Sequence, residues 1–462
     1  VMTSIGEYLD NKSDLLAIFR INQVTPEAIR NLAVSFKKRQ IDGDVTFLHF
    51  DEVLEGLADE LETYPNRSES RLFKVKRITT EGNAKDIVEY RKRRELTVPN
   101  DTPLLMIDAD GDLEIAQLFR QDANIEYHEI TAERNAIVHQ FTDRTWSRNS
   151  LLNNAEVRQE ARRFLEMVTA NTNKTVIVMD KQVIDKDDIA KSDKFGFTER
   201  KVTINNETVV RKYFNNCPVI HFGGFRGTNE FEKYEDIIIV GRSEPRLEDM
   251  EQQAAALWYN DEEDLNTTPP DASGRINYPK RDVAYRMIDG RVLKNKASRH
   301  PDERVDKLLR LARDSETTQA IDRLRSVRSN ADNPKTVWIL CDIPMDITVT
   351  HLLGMDELMT MVEMVDNENC FIVHKDYVFF SAMERNKKRR NLLKWENAHF
   401  SNRVLSISRV SKTQFSVMND SNSTFTAYIA ANYDGSKEEL IASKLGLTAE
   451  DITALEMDRK TN

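Results

Sequence analysis

Cysteine is scarce, with Cys217, Cys341 and Cys370 the only three in 462 residues. Residues so few and so scattered exclude a disulfide framework and a paired CxxC metal ligand set, and they fit a reducing compartment, the cytoplasm. No run approaches the roughly 18 consecutive apolar residues that a membrane span needs. The opening Val1-Met2-Thr3-Ser4 lacks the charged-then-apolar pattern of a secretion signal, so neither secretion nor membrane insertion is expected. The eight histidines form no HxxxH pair, and Gly-x-Ser-x-Gly does not occur, which removes the common zinc and serine-nucleophile patterns. A Gly-x-x-x-x-Gly-Lys-Ser/Thr phosphate loop is missing as well. No segment therefore offers the usual backbone cradle and lysine for a nucleotide β-phosphate.

What is present is a globular composition, 40% hydrophobic and 31% charged, long enough for two or three domains. The net charge of −11 argues against a protein that coats nucleic acid everywhere, but it leaves room for a local basic groove. Residues 1–100 read as mostly helical, with Phe50, Val53, Leu54, Leu57 and Leu61 at helical spacing. After Pro99 the texture changes to short apolar runs between polar helical stretches. These are Leu104-Leu105-Met106-Ile107, Thr175–Met179, Val219–Phe222, Ile237–Val240 and Val337–Leu340. Continuous apolar strands separated by helices predict an α/β fold, a parallel sheet covered by helices on both faces, over residues 101–345. Asp289-Gly290 between Val283–Met287 and Arg291–Leu293 predicts a hairpin inserted around 281–295. Residues 346–462 mix helices with strand-like segments such as Tyr377–Phe380 and form an expected accessory unit. Within it Glu438–Ile452 resembles a helix-turn-helix, with Gly446 at the turn and Thr448 as N-cap; its acidic second helix suits packing or a partner better than groove reading.

Three segments carry candidate chemistry. Pro103-Leu104-Leu105-Met106-Ile107-Asp108-Ala109-Asp110 is an apolar run ending in a small polar triplet. Val219-Ile220-His221-Phe222-Gly223-Gly224-Phe225-Arg226-Gly227-Thr228-Asn229 runs into Glu230-Phe231 and then the apolar stretch Ile237–Val240. Gln319-Ala320-Ile321-Asp322-Arg323-Leu324-Arg325-Ser326-Val327-Arg328 precedes Val337–Leu340. In this order they resemble the second half of a superfamily-two helicase or translocase motor. The first is similar to the Ser/Asp-Ala-Thr motif, with Asp110 where that family has Thr; the second to the Arg-Gly-x-Asp/Asn motif; the third to the Gln-x-x-Gly-Arg-x-x-Arg finger. In the third, Asp322 replaces Gly and Ser326 takes the place of the last Arg. The likeness is greatest to helicase-like proteins of phages and mobile elements that carry a hairpin between the last two motifs.

The resemblance implies a RecA-like second motor lobe and a hydrolase that moves on nucleic acid, DNA in the first instance. Its cofactors, ATP and Mg, would be shared with a phosphate-loop lobe in cis or trans. Residues 1–100 would include the end of a first lobe that is missing or highly divergent, the chain being a fragment, a processed product or half of a split motor. Gln319 and Arg323, helped by Arg325 or Arg328, would neutralise charge on the transferred phosphoryl. Arg226, Gly227, Thr228 and Asn229, with Asp108 and Asp110, would couple that chemistry to the strand being moved. A non-catalytic nucleic-acid-binding or assembly module with the same fold is the competing class.

Two other constellations compete for the same residues. Asp108-Ala109-Asp110-Gly111-Asp112, with Glu55-Gly56 upstream, is similar to the metal-binding acidic residues of Toprim primases and nucleases. Phe47–Glu52 can be read as an apolar strand ending in a magnesium-binding Asp-Glu pair, or as the start of a helix. Between 385 and 412, Lys387, Lys388, Arg389 and Arg390 belong to a basic stretch opposed only by Glu396 and interleaved with Trp395 and Phe400. This suits phosphate contact with base stacking. Arg91-Lys92-Arg93-Arg94 is a shorter run of the same kind. Replacing Lys387, Lys388, Arg389 and Arg390 by Ala is expected to weaken single-strand binding and to reduce its log–log salt slope by about 0.7 per lost phosphate contact. Fluorescence anisotropy across a salt series measures both, and an unchanged slope would assign the run to charge balance alone.

Overall fold

The computed structural model describes the chain except residues 12–13, 42–48, 79–83, 94–95, 97, 100–101, 109, 121–122, 131, 171, 188–193, 205–206, 226–228, 269–275, 277, 331, 356–357, 360–369, 375–376, 380–409, 418–419, 431–432, 446–447 and 458–462. It forms two compact units, neither continuous in sequence. Residues 1–130, 245–281 and 298–312 make the first, and residues 131–244, 282–297 and 313–462 the second. The linear divisions at 100 and 345 follow changes in sequence texture, whereas these units follow packing.

In the second unit eight described strands form one sheet: β1 Ala136–Phe141, β2 Thr175–Met179, β3 Thr198–Ile204, β4 Glu207–Phe214, β5 Cys217–His221, β6 Asp236–Val240, β7 Lys335–Leu340 and β8 His351–Leu353. The spatial order is β8-β1-β7-β6-β2-β5-β4-β3. The six strands from β8 to β5 are parallel, as the apolar runs predict. The pair β4 and β3 continues antiparallel, which makes the sheet mixed. Side chains alternate between two cores. Ile177, Met179, Ile238, Val240, Trp338 and Leu340 pack with Ala161, Phe164 and Leu165 of helix Ala155–Thr169. Val176, Val178, Ile237, Ile239, Val337 and Ile339 pack with Phe225, Phe231, Ala320, Ile321 and Leu324. A strand buried on both faces has no polar period, which is why these segments read as unbroken apolar runs. His139 is fully buried on β1, stacked 4.1 Å from the Trp338 ring and 4.9 Å from that of His351.

The hairpin expected around 281–295 is present as Lys280–Met287 and Val292–Ser298, joined by Thr348–Val349 in a small sheet. Further along, a five-stranded sheet holds Cys370–His374, Tyr377–Phe379, Val410–Val417, Asp420–Ala430 and Ile452–Met457. The helix-turn-helix is not formed. Helix Lys437–Leu445 is followed by a single 3-10 turn, Ala449–Asp451, which leads directly into strand Ile452–Met457. The outermost strand β3 is exposed at Thr198, Glu199, Arg200 and Lys201, and the opposite rim, β8, is three residues long. Among the described residues no helix is long and apolar enough to cross a membrane.

The first unit opens with helices Met2–Asn11, Leu15–Ile21, Pro26–Ile41 and Phe50–Thr63. Leu54, Leu57 and Ala58 recur on one side of the last helix and are fully buried against Leu15, Leu16, Phe19 and Ile29. From Phe50 onward the helical reading therefore holds, and Glu55 sits inside that helix. The strand Leu72–Ile78, paired antiparallel with Ala84–Tyr90, is an addition within a region expected to be mostly helical. Leu104–Ile107 corrects another. These residues belong to no strand, and their side chains are 47%, 85%, 68% and 88% exposed. An apolar run becomes a strand only where a neighbour satisfies its backbone N–H and C=O groups, and among the described residues none pairs with it.

The polar centre of this unit is unusual. Glu60, Arg67 and Arg71 are each at most 1% exposed. Glu60 accepts from the Arg71 backbone N–H at 3.2 Å and from Tyr90 Oη at 3.2 Å, and lies 3.6 Å from Arg67. Nearby, the Asp264 carboxylate accepts the backbone N–H groups of Ser68 at 2.9 Å and Glu69 at 3.0 Å. Burial, reinforced by the carboxylates of Asp264 and Asp14, pushes the Glu69 carboxyl up from 4.5 to about 7. The folded chain thus retains a proton that the unfolded chain releases, so stability falls as pH rises through the window from 4.5 to about 7. Glu69→Gln is expected to stabilise the protein at pH 8 by on the order of 1–3 kcal/mol, with the advantage vanishing toward pH 4. Thermal unfolding at the two pH values measures this, and equal gains at both would refute the linkage.

Candidate functional site

Two of the three motif-like segments meet on one side of the sheet in the second unit. The chain leaves the carboxyl end of β5 through Gly223, Gly224 and Phe225, and reaches β6 by way of Asn229 and the 3-10 turn Glu230–Lys233. Gly223 has φ +80°, and a side chain on Gly224 would lie 2.9 Å from Ile220 Cγ2 and 3.0 Å from the His221 carbonyl oxygen. The glycine pair is therefore required by the turn itself. Phe225 and Phe231 bury their rings against each other, 5.2 Å apart, and fix the two ends of this connection to the core.

The other segment ends helix Glu303–Asp322. Ala320, Ile321 and Leu324 are buried in the same core as Phe225 and Phe231. Gln319 donates from Nε2 to Ser315 Oγ at 2.9 Å along the helix. Asp322, standing where the resembled family has Gly, is bound bidentately by Arg134 at 2.7 and 3.0 Å. Arg323 lies just past the helix end rather than within it, its backbone N–H donating to the Gln319 carbonyl at 3.2 Å. Arg325 adopts a left-handed conformation, φ 53° and ψ 41°, where the chain reverses into the turn Ser326–Arg328.

That reversal sets which side chains face outward. Ser326 is 1% exposed, so the position that the resemblance assigns to a second arginine points into the core. Arg325 and Arg328 flank it and reach across to the other segment. Arg325 Nη2 donates to Asn229 Oδ1 at 2.9 Å, and Arg328 Nη1 lies 3.4 Å from Glu232 Oε1. Arg325 Nε is buried without a hydrogen-bond acceptor. Since β6 and β7 begin just beyond these turns, the cluster lies at the amino ends of those strands, where Lys335 Nζ donates to the Glu232 and Tyr234 carbonyls at 3.1 and 2.6 Å.

The remaining candidates are dispersed. Arg226, Gly227 and Thr228 lie outside the described residues, as do Lys387, Lys388, Arg389, Arg390 and Trp395. Asp108 and Asp110 belong to the first unit, on an irregular segment where the Asp110 backbone N–H donates to Asp108 Oδ1 at 3.1 Å. Asp112 caps helix Leu113–Phe119 by accepting from the Ile115 N–H at 2.9 Å, and lies 3.5 Å from Lys307 Nζ. The Asp108 and Asp112 carboxylates are thus used locally. Among the described residues no group of three or more His, Cys, Asp or Glu is arranged to hold a metal ion.

Sequence reasoning missed a second charged cluster, at the carboxyl ends of the parallel strands. Beyond β6, Glu244 accepts from Arg242 Nε at 2.8 Å and from Arg313. Burial and the adjacent Arg242 guanidinium pull Arg313 below the usual arginine range. After β1, Arg144 Nη1 pairs with Glu160 at 2.8 Å, and after β2, Arg148 lies 3.8 Å from Asp180. Polar residues immediately after an unbroken apolar strand were the available signal, because that is where open parallel sheets present ligand-binding groups.

No family model, no curated protein and no solved structure matches this chain. The Arg325–Asn229 contact is open to direct measurement. A double-mutant cycle with Arg325→Ala and Asn229→Ala is expected to give a coupling of about 0.2–1 kcal/mol in urea unfolding. Strictly additive effects would show that this contact contributes nothing to holding the two segments together.

Proposed function

We propose that the second unit supplies the second RecA-like lobe of an ATP-dependent helicase or translocase acting on nucleic acid, DNA in preference to RNA. The observation that supports this reading is the Arg325–Asn229 hydrogen bond. It joins two motif-like segments 96 residues apart, one suited to a phosphoryl group and the other to a nucleic-acid strand.

The donor set fits a phosphoryl ligand. Guanidinium groups stay charged and donate as planar forks, and Arg325 Nε is a buried donor with no acceptor of its own. In this reading Arg323, with Arg325 or Arg328, neutralises charge developing on the transferred group. Asn229, together with Arg226 and Thr228, couples that event to the strand. Bound ATP supplies the driving phosphoryl transfer. Its phosphates and Mg would be held by a phosphate-loop lobe, since this sequence has no such loop.

A specific observation favours the second reading, a non-catalytic nucleic-acid-binding or assembly module. The buried Ser326 cannot serve as the second finger, and the exposed Leu104–Ile107 segment does not provide the first motif with a strand.

The test has two arms. The chain alone is expected to show no nucleic-acid-stimulated ATP hydrolysis. Reconstituted with a phosphate-loop lobe, Arg323→Lys is expected to lower turnover by roughly 10³–10⁵-fold, with melting temperature and strand affinity unchanged. Robust hydrolysis by the isolated chain, or wild-type turnover in the lysine variant, would overturn the motor reading.

A further inference from the structure

The first unit holds an open, mainly apolar-walled cavity of about 340 Å³, with three basic residues in its lining, that the motor reading does not use. Arg91, Lys92 and Arg93 line one side, and Phe119, Gln253 and Leu257 contribute to the rest. The three cations are held in different ways. Arg91 is clamped by Glu89, with Nε and Nη2 at 3.1 and 2.7 Å from one carboxylate oxygen. Arg93 donates from Nη1 to the Leu257 carbonyl at 2.6 Å, capping the C-terminal end of helix Leu247–Leu257. Lys92 is exposed, its ammonium 5.8 Å from the centre of the Tyr259 ring, and among the described residues it makes no ion pair. Two fixed guanidiniums thus neighbour in sequence a lysine that, among the described residues, has no carboxylate within ion-pair distance.

We infer that this cavity binds a phosphodiester of single-stranded nucleic acid, with the phosphate at Lys92 between Arg91 and Arg93 and a base against Phe119. The volume lies at the small end of the roughly 300–1,000 Å³ of ligand pockets, which suits one nucleotide unit and not a folded partner. Cations that follow a backbone, beside an aromatic ring on which a base can stack, are the elements of sequence-tolerant strand binding. The inference names a strand contact within the first unit, and it rests on the motor reading for the strand itself.

The experiment uses the full chain and a fluorescent oligothymidylate, with anisotropy read across a salt series. Lys92→Ala is expected to weaken binding about three- to tenfold near 0.1 M salt and to reduce the salt slope by about 0.7, while Lys92→Arg retains both. Phe119→Leu keeps an apolar side chain at this half-buried position. It is expected to weaken oligothymidylate binding about tenfold and to leave an abasic strand of the same length unaffected. Melting temperatures of the variants should stay near wild type, because Lys92 is exposed. If wild type binds the strand and Lys92→Ala binds with the same affinity and slope, this site is refuted and the motor reading stands. If wild type binds no strand at any salt concentration, both fall. Competition by thymidine monophosphate as effective as by the strand would assign the cavity to free nucleotides and overturn the strand assignment.

Discussion

Three strands without a polar face govern the second unit. Every described side chain of β2, β6 and all but the first of β7 is buried, so neither side of the sheet centre can meet water. Burying apolar surface at about 25 cal/mol per Å² favours covering both faces, and the chain does so in two different ways. One face receives an ordinary amphipathic helix, Ala155–Thr169. The other is covered partly by a connection and by the last turn of a helix, through Phe225, Phe231, Ala320, Ile321 and Leu324.

The second solution is what brings the arginines to Asn229. Leu324 must enter the core, and the left-handed Arg325 reverses the chain immediately afterward so that Ser326 also points inward. Outward positions then fall to Arg325 and Arg328. The polar contacts at this rim follow from the apolar anchors beneath them, and their energies are modest, since Arg328 and Glu232 remain 65% and 46% exposed. Arg134, by binding Asp322, holds the helix end against the start of β1 and fixes where the reversal begins.

What was legible in the sequence follows the same logic. The runs Thr175–Met179, Ile237–Val240 and Val337–Leu340 are legible as doubly buried strands because four or five consecutive apolar residues between helical stretches fit a strand covered on both faces. Leu104–Ile107 has the same texture and is exposed, since a run specifies hydrophobicity and the partner strand must come from elsewhere in the chain. Strands β3 and β4 escaped notice because their charged residues, such as Glu199, Arg200, Arg211 and Lys212, carry no apolar pattern. At the candidate site the residue types were readable but the register was not. Only the backbone reversal at Arg325 decides that 326 is an inward position. The cluster of Arg242, Glu244 and Arg313 depends on residues about seventy apart and leaves no local trace beyond its position after β6.

The two rims of the eight-stranded sheet differ in a way that bears on how this protein behaves at high concentration. An open sheet presents unpaired backbone donors and acceptors along each outermost strand, an invitation to any other extended chain. Here one rim, β8, offers only three residues, too short a template to hold an intruder. The other, β3, is seven residues long but carries Glu199, Arg200 and Lys201 in succession on a solvent-exposed strand. A second copy arriving edge to edge would have to bring its own charges against these and strip them of water. Among the described residues the sheet ends in brevity on one side and charge on the other, the two features that disfavour edge-to-edge pairing with a further copy.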